Sequence, residues 1–328
     1  MPPSPVADGG TPTLTHHHGD RVVVTVGDTE ILSYVYRPDP EPYESRKPYA
    51  HPVRTLAGNT VTGYRPNDHR WHKGVQMTSS HLSEQNFWGG NSYIHGKGYQ
   101  RIPERVGWMR HDGFEAVVAD ADRARLEENL TWINHTGEEW CRERRGLLVH
   151  SVDPAGGSWA LDWSIHLTNV RDLPLRFGSP TTAGREMAGY TGLQWRGPRD
   201  FAGGRVLTPA GPSTDRETMG TPVADAPWLG FTAVHDEVDD ASTLVFAHHP
   251  DNERSIHPSH WFVRSLPWPT VALSWAFFEE FELAPGDSFS YRYRMVVADG
   301  EWDVERVEGW LRDHPWDEES GGAGGAAR

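Results

Sequence analysis

Between residues 159 and 167 the chain alternates without a break, with Trp159, Leu161, Trp163, Ile165 and Leu167 on one side and Ala160, Asp162, Ser164 and His166 on the other. Successive side chains of a β-strand point to opposite faces, so this period of two specifies a strand with one apolar face and one polar face. Such a strand needs hydrogen-bonded neighbours at both edges and a second apolar layer over its buried face, which steers the chain towards stacked sheets. The same period recurs. Phe289, Tyr291, Tyr293, Met295 and Val297 alternate after the turn Ala284-Pro285-Gly286-Asp287, and Val22, Val24 and Val26 alternate before Ile31–Tyr36, with Gly27-Asp28 as the hairpin turn. Further strands are expected around 101–106, 114–118, 124–133, 140–150 and 244–247. The segment 124–133 reads as a strand because Ala124, Leu126, Glu128, Leu130 and Trp132 share one face. Only 303–313, with Val304, Val307, Trp310 and Leu311 at helical spacing, predicts a helix.

The 15 Trp alongside 34 Gly and 25 Pro fit short strands joined by structured loops. The expected fold is all-β: one large antiparallel β-sandwich with few helices over residues 19–315. Residues 1–18 and 316–328 are expected to be a disordered arm and a disordered Gly/Ala-rich tail. The His16-His17-His18 triplet falls in that arm and reads as incidental. Five prolines at 38, 40, 42, 48 and 52 predict an ordered, irregular loop.

A formal charge of −15 leaves no evident basic face for nucleic acid or an anionic membrane and favours a small neutral or cationic ligand. The single cysteine, Cys141, excludes an internal disulfide. No run of about 18 apolar residues occurs, and the start MPPSPVADGG lacks the basic and apolar regions of a signal peptide, so a cytoplasmic protein is expected. Gly-rich nucleotide fingerprints, a His-Glu-x-x-His zinc motif and a Gly-x-Ser-x-Gly elbow are all missing. What is left is chemistry by His, Asp, Glu, Arg and Trp, with no cofactor predicted and a divalent metal as the alternative.

Titratable and aromatic residues concentrate in three segments, read as walls of one site. The first, 64–99, centres on Asp68-His69-Arg70-Trp71-His72-Lys73-Gly74 and continues through His81, Asn86, Trp88 and His95. The second, 184–201, carries Arg185, Trp195, Arg196 and Arg199, and the third, 248–261, carries His249, Asp251, Asn252 and Trp261. The imidazoles can move protons, the guanidiniums can hold carboxylates or vicinal hydroxyls, and the Trp rings can stack on a sugar. His69, His72 and His249 are the metal set if a metal is bound. Hydrogen-bonded loop histidines, surface salt bridges and core tryptophans are the structural alternatives.

A strand over 275–283 would put Trp275, Phe277, Glu279, Phe281 and Leu283 on one face, leaving Glu279 alone in an apolar stripe. A carboxylate so placed is paired, hydrogen-bonded or raised in pKa, as a general base or acid must be. A structural pair with a buried Arg is the alternative.

The ordered set Arg46-Lys47-Pro48-Tyr49-Ala50-His51-Pro52, Arg54-Thr55-Leu56-Ala57-Gly58, Asp68–Gly74, Asn86-Phe87-Trp88-Gly89-Gly90, Gly192–Arg199 and His249-Pro250-Asp251-Asn252 resembles the bacterial PmoA-like family over about residues 20–300. That resemblance implies a fold and motif positions without an assigned catalytic residue. The closing pattern Phe278-Glu279-Glu280, then Leu283-Ala284-Pro285-Gly286-Asp287, is similar to the end of aldose epimerases of the galactose mutarotase-like supersandwich. It implies Glu279 as base and His72 or His249 as acid, although the epimerase motifs around the catalytic histidines are not present. The expectation is a carbohydrate-active enzyme doing epimerase- or lyase-type acid/base chemistry on a sugar in a His/Trp/Arg cleft. A metal-dependent hydrolase or oxygenase and a non-catalytic carbohydrate-binding protein are the alternatives.

Overall fold

The 159–167 alternation lies inside Ser158–Asn169, a strand near the middle of a nine-stranded antiparallel sheet in this computed structural model, which describes residues 10–316. The spatial order is Gly211–Ser213, Arg205–Thr208, Trp228–Val234, Ala241–His248, Ser288–Asp299, Ser158–Asn169, Glu139–Asp153, Ala124–Ile133 and Trp108–Ala119. The second sheet has eight strands in the order Pro12–His17, Arg21–Val26, Thr29–Val35, Tyr49–Val53, Val75–Thr78, Gly192–Arg196, Thr270–Ser274 and His260–Arg264. The architecture is an antiparallel β-sandwich, with a three-stranded and a two-stranded sheet beside it.

Alternation decides what fills the space between the sheets. Trp159, Trp163 and Ile165 from the nine-stranded sheet meet Trp195, Trp261, Val271 and Leu273 from the other, all in one buried cluster. A buried indole N–H needs an acceptor. Trp159, Trp195 and Trp261 donate to the carbonyls of Arg54, Val61 and Ala226 at 2.9, 2.9 and 2.7 Å.

The same core holds charges. Arg145 makes two hydrogen bonds to Glu143, at 2.7 and 2.8 Å, and a third to the Tyr34 hydroxyl at 3.1 Å. Tyr34 donates to Glu128, which also meets the His111 ring at 2.6 Å, and Trp132 donates to Glu143 at 2.7 Å. Buried charge is normally paired in this way.

The helix forms over Val304–Asp313, capped by the Asp303 side chain on the Arg306 N–H, and buries Val307 and Trp310 against Val245, Val296 and Ala298 on the outer face of the nine-stranded sheet.

Several expected boundaries move. Pro12–His17 are no disordered arm: they pair with Arg21–Val26 as an edge strand, with His16 against the Tyr36 hydroxyl at 2.9 Å. Residues 1–9 and 317–328 lie outside the described residues, but Trp316, placed in the expected tail, packs on Arg294 at 4.2 Å. The expected strand at 101–106 is a short 3-10 turn at Pro103–Arg105, since Pro103 fixes a turn conformation. The expected strand over 275–283 stops at Ser274, bends, and resumes only at Phe281–Leu283.

Candidate functional site

Strand register places a polar platform on the outward face of the eight-stranded sheet. Gln76, Gln194, Ala272 and Phe262 form one cross-strand row, and Arg196, Thr270 and Arg264 form the next. Their odd-numbered neighbours Val75, Trp195, Val271 and Val263 point into the core, so these residues necessarily face away from it. Gln76, Gln194 and Thr270 are nonetheless buried, and Arg196 is only 1% exposed, because loops cover this face.

The principal cover is the 68–74 motif. The His69 N–H bonds the Pro66 carbonyl, the His72 N–H bonds the His69 carbonyl and the Arg65 N–H bonds the His72 carbonyl, all at 2.9 Å, a compact turn that sets the two imidazoles side by side. Gly74 closes the turn at φ 57°, where a Cβ would lie 2.1 Å from the Ala50 carbonyl, so only glycine fits. The Gly74 N–H bonds Gly63 at 2.9 Å and the Arg196 N–H bonds Gly74 at 2.8 Å, which fixes the motif to the platform.

Aromatic rings run from one end of this face to the other. Trp268 lies 4.3 Å from His69, His69 lies 4.9 Å from His72, and His72 lies 5.6 Å from Trp88. Trp88 then meets Tyr190 at 4.5 Å, and the Tyr190 hydroxyl bonds that of Tyr99 at 2.6 Å. Arg185 stacks on Tyr99 at 4.8 Å and bonds its hydroxyl.

Polar atoms without partners collect at the centre. Among the described residues, buried His69 Nδ1, His72 Nδ1, Gln76 Oε1 and Arg196 Nη1 have no hydrogen-bond partner. His69 Nδ1 is 3.5 Å from Asp68 Oδ1, at the limit of a contact. Burial holds the His72 imidazole well below its ordinary pKa, and the charges of Arg196, Lys47 and Lys73 push the same way, so His72 is neutral at physiological pH. Burial likewise lowers His69, with Asp68 opposing. Below them Glu44 is fully buried, bonded by Lys73 at 2.8 Å and by Arg65 at 2.6 and 3.0 Å, while the buried Lys47 ammonium is held by the Trp88 carbonyl at 2.7 Å.

The three expected walls therefore separate. His69, Trp71, His72, Trp88, Arg185 and Arg196 border this face. Trp71 packs on Gly90, His95 is exposed beside Gly184, and half-buried His81 bonds the Tyr93 carbonyl at 3.3 Å. Asn86 is a turn clamp, its Oδ1 accepting the Trp88 and Gly89 N–H groups at 2.9 Å each. Trp195 and Trp261 are core residues and present no face to a ligand.

His249 is on the other side of the sandwich. His248 points into the core against Trp261, so His249 points out from the nine-stranded sheet, where Trp316 lies 4.9 Å away and Asp251 N–H bonds its Nδ1 at 3.0 Å. Asp251 pairs with Arg254, and Asn252 bonds the backbone of Arg292, so both serve that turn. His69, His72 and His249 consequently cannot share one metal, and no group of three His, Cys, Asp or Glu among the described residues has metal-binding geometry.

Glu279 is also corrected. It sits exposed on the bend after Ser274, outside any apolar stripe, where its charge acts on His260. The carboxylates that meet the expected description are Glu128 and Glu143, in the core.

Sequence reading missed Trp268, Tyr190 and Gln76 as site residues. Gln76 and Gln194 carried a signal, as polar residues alternating with Val75, Met77, Leu193 and Trp195.

No helix among the described residues is long and apolar enough to cross a membrane. No curated protein is significantly similar in sequence. Among solved structures, the chain is similar to the GH36 alpha-galactosidase AgaA from Geobacillus stearothermophilus, at 11% identity and TM-score 0.41 over 84% of this chain and 40% of that one. It is similar to a protein described as a candidate aldose 1-epimerase from Klebsiella pneumoniae, at 12% identity and TM-score 0.37 over 91% and 82%. It is also similar to the Slr1438 protein from Synechocystis sp. PCC 6803, at 11% identity and TM-score 0.37 over 91% and 99%. The chain spans about two fifths of the galactosidases. The PmoA-like label is not among these findings. A family profile matches residues 21–312, and by that match the chain belongs to DUF6807, a family of unknown function.

Proposed function

We propose that the outer face of the eight-stranded sheet binds a carbohydrate or sugar derivative and that His72, with His69 beside it, moves a proton on it. The observation that carries this reading is the set of unpartnered buried atoms, His72 Nδ1, Gln76 Oε1 and Arg196 Nη1, beside a line of aromatic rings. Buried polar atoms left unbonded are destabilising, and a ligand rich in hydroxyls relieves that penalty while its apolar ring face packs on the aromatics. A neutral imidazole at His72 is in the form that accepts a proton from a hydroxyl or from a carbon next to a carbonyl. Epimerase- or lyase-type chemistry needs that step, and a purely binding site does not.

The test is exchange of substrate hydrogen with D2O, followed by NMR across a panel of aldoses, ketoses and sugar acids. Wild-type protein should catalyse exchange or turnover on a member of the panel, and His72→Gln should lower the rate about 10²- to 10⁴-fold with circular dichroism unchanged. Equal rates in wild type and His72→Gln would remove His72 from the chemistry.

A further inference from the structure

Resting on that reading, we propose that the ligand carries an anionic oxygen group, a carboxylate or a phosphate, and that Arg196 receives it. Arg196 is 1% exposed, yet it forms no ion pair among the described residues. Its Nε bonds only the Gly197 carbonyl at 3.2 Å, Nη1 has no partner, and the guanidinium lies over Trp268 at 5.4 Å. Among the other buried cations, the Lys47 ammonium donates to three carbonyls, those of Glu44, Ser45 and Trp88, and the rest have carboxylate partners. Arg145 pairs with Glu143, Arg294 with Asp162, and Lys73 with Glu44. A buried guanidinium without a counter-charge is an exception, because buried charge is normally paired, and the planar fork of arginine matches the two oxygens of a carboxylate or phosphate.

The surroundings favour an anion as well. Arg199, Lys47 and Lys73 add positive charge around the His69–His72 pair, and Asp68 opposes them at His69. Glu44 is already engaged by Lys73 and Arg65, and Asp68 is exposed and lies 3.5 Å from Arg199. Neither carboxylate is within ion-pair distance of Arg196. Across the sheet, Arg264 shares a register row with Arg196, with Thr270 between them, about 10 Å away at two strand spacings. It stacks on Phe262 at 5.5 Å and forms no ion pair among the described residues. The chain is acidic as a whole, with a net charge of −15, and this face is a local exception to it.

The test compares matched ligands on the wild-type protein by calorimetry and thermal shift: glucose and galactose, glucuronate and galacturonate, and glucose 6-phosphate and galactose 6-phosphate. An acidic member should bind at least 10-fold tighter than its neutral counterpart, with affinity falling as NaCl is raised. Uronates favoured over hexose phosphates identify a carboxylate, and the reverse order identifies a phosphate. Arg196→Gln should abolish the preference for the acidic member over its neutral counterpart, and Arg196→Lys should keep part of it. Neutral sugars binding as tightly as acidic ones, in a His72-dependent manner, would overturn the anion assignment and leave the site standing. No binding by any of the six probes would overturn both. The wild-type comparison decides the matter even if Arg196→Gln does not fold.

Discussion

At the scale of the residue, His72 and Glu279 show how burial separates two groups that looked like partners. His72 is covered by the platform and by Trp88, so desolvation keeps it neutral. Glu279 stands in solvent on a bend. Glu279→Gln should therefore leave turnover within about twofold of wild type in the D2O exchange assay, where His72→Gln is expected to lose about 10²- to 10⁴-fold; a loss comparable to that expected of His72→Gln would return Glu279 to the chemistry. The alternation argument that singled out Glu279 is physically sound, but it requires an actual strand. Where strand geometry does hold, at Ala124–Ile133 and Glu139–Asp153, the same argument correctly describes Glu128 and Glu143, which are buried and bonded.

At the scale of the element, the loops over the platform depend on backbone that only glycine tolerates. Gly90 has φ 72°, and a Cβ there would fall 2.5 Å from the Trp71 ring. Gly90→Ala should destabilise the protein by about 2 kcal/mol or more, through the left-handed backbone and the clash together. It should also displace Trp71 and with it the His69–His72 turn, since Trp71 lies 4.9 Å from His69. Chemical denaturation measures the first effect, and the fluorescence of Trp71 against a Trp71→Phe control reports the second. An unchanged unfolding midpoint would show that the ring moves aside freely. The strands themselves were legible because alternation is local, as in Ser158–Asn169 and Ser288–Asp299. The loops were not, since Asp68–Gly74 takes its shape from bonds to Gly63, Arg65 and Arg196.

At the scale of the whole molecule, a core that contains histidine couples stability to pH. His248 is buried between Trp261 and Tyr293, and desolvation pushes its pKa down to about 3. The unfolded chain takes up a proton near pH 6.5 and the folded one only near 3. Stability is therefore complete above pH 6.5 and is lost as the pH falls from 6.5 towards 3, at about 1.4 kcal/mol per unit for this one group. Urea unfolding at intervals between pH 7 and pH 4 should show a wild-type slope that exceeds that of His248→Gln by about this amount. Identical slopes in the two proteins would mean that His248 is solvated when folded.

The sequence alone determined the strands with unbroken alternation, the Gly27-Asp28 hairpin, the terminal helix and hence the antiparallel sandwich, because each follows from side-chain period and turn chemistry within a few residues. It also drew attention to His69, His72 and Arg196 as residues with chemistry to offer. Only the tertiary structure decided which of the candidates meet. Register turned Trp195 and Trp261 inwards and Arg196 outwards, and the closing of two sheets over one core left His72 and His249 on opposite sides of it. Adjacency across a sandwich is set by strand order, and strand order is a property of long-range pairing that no local pattern encodes.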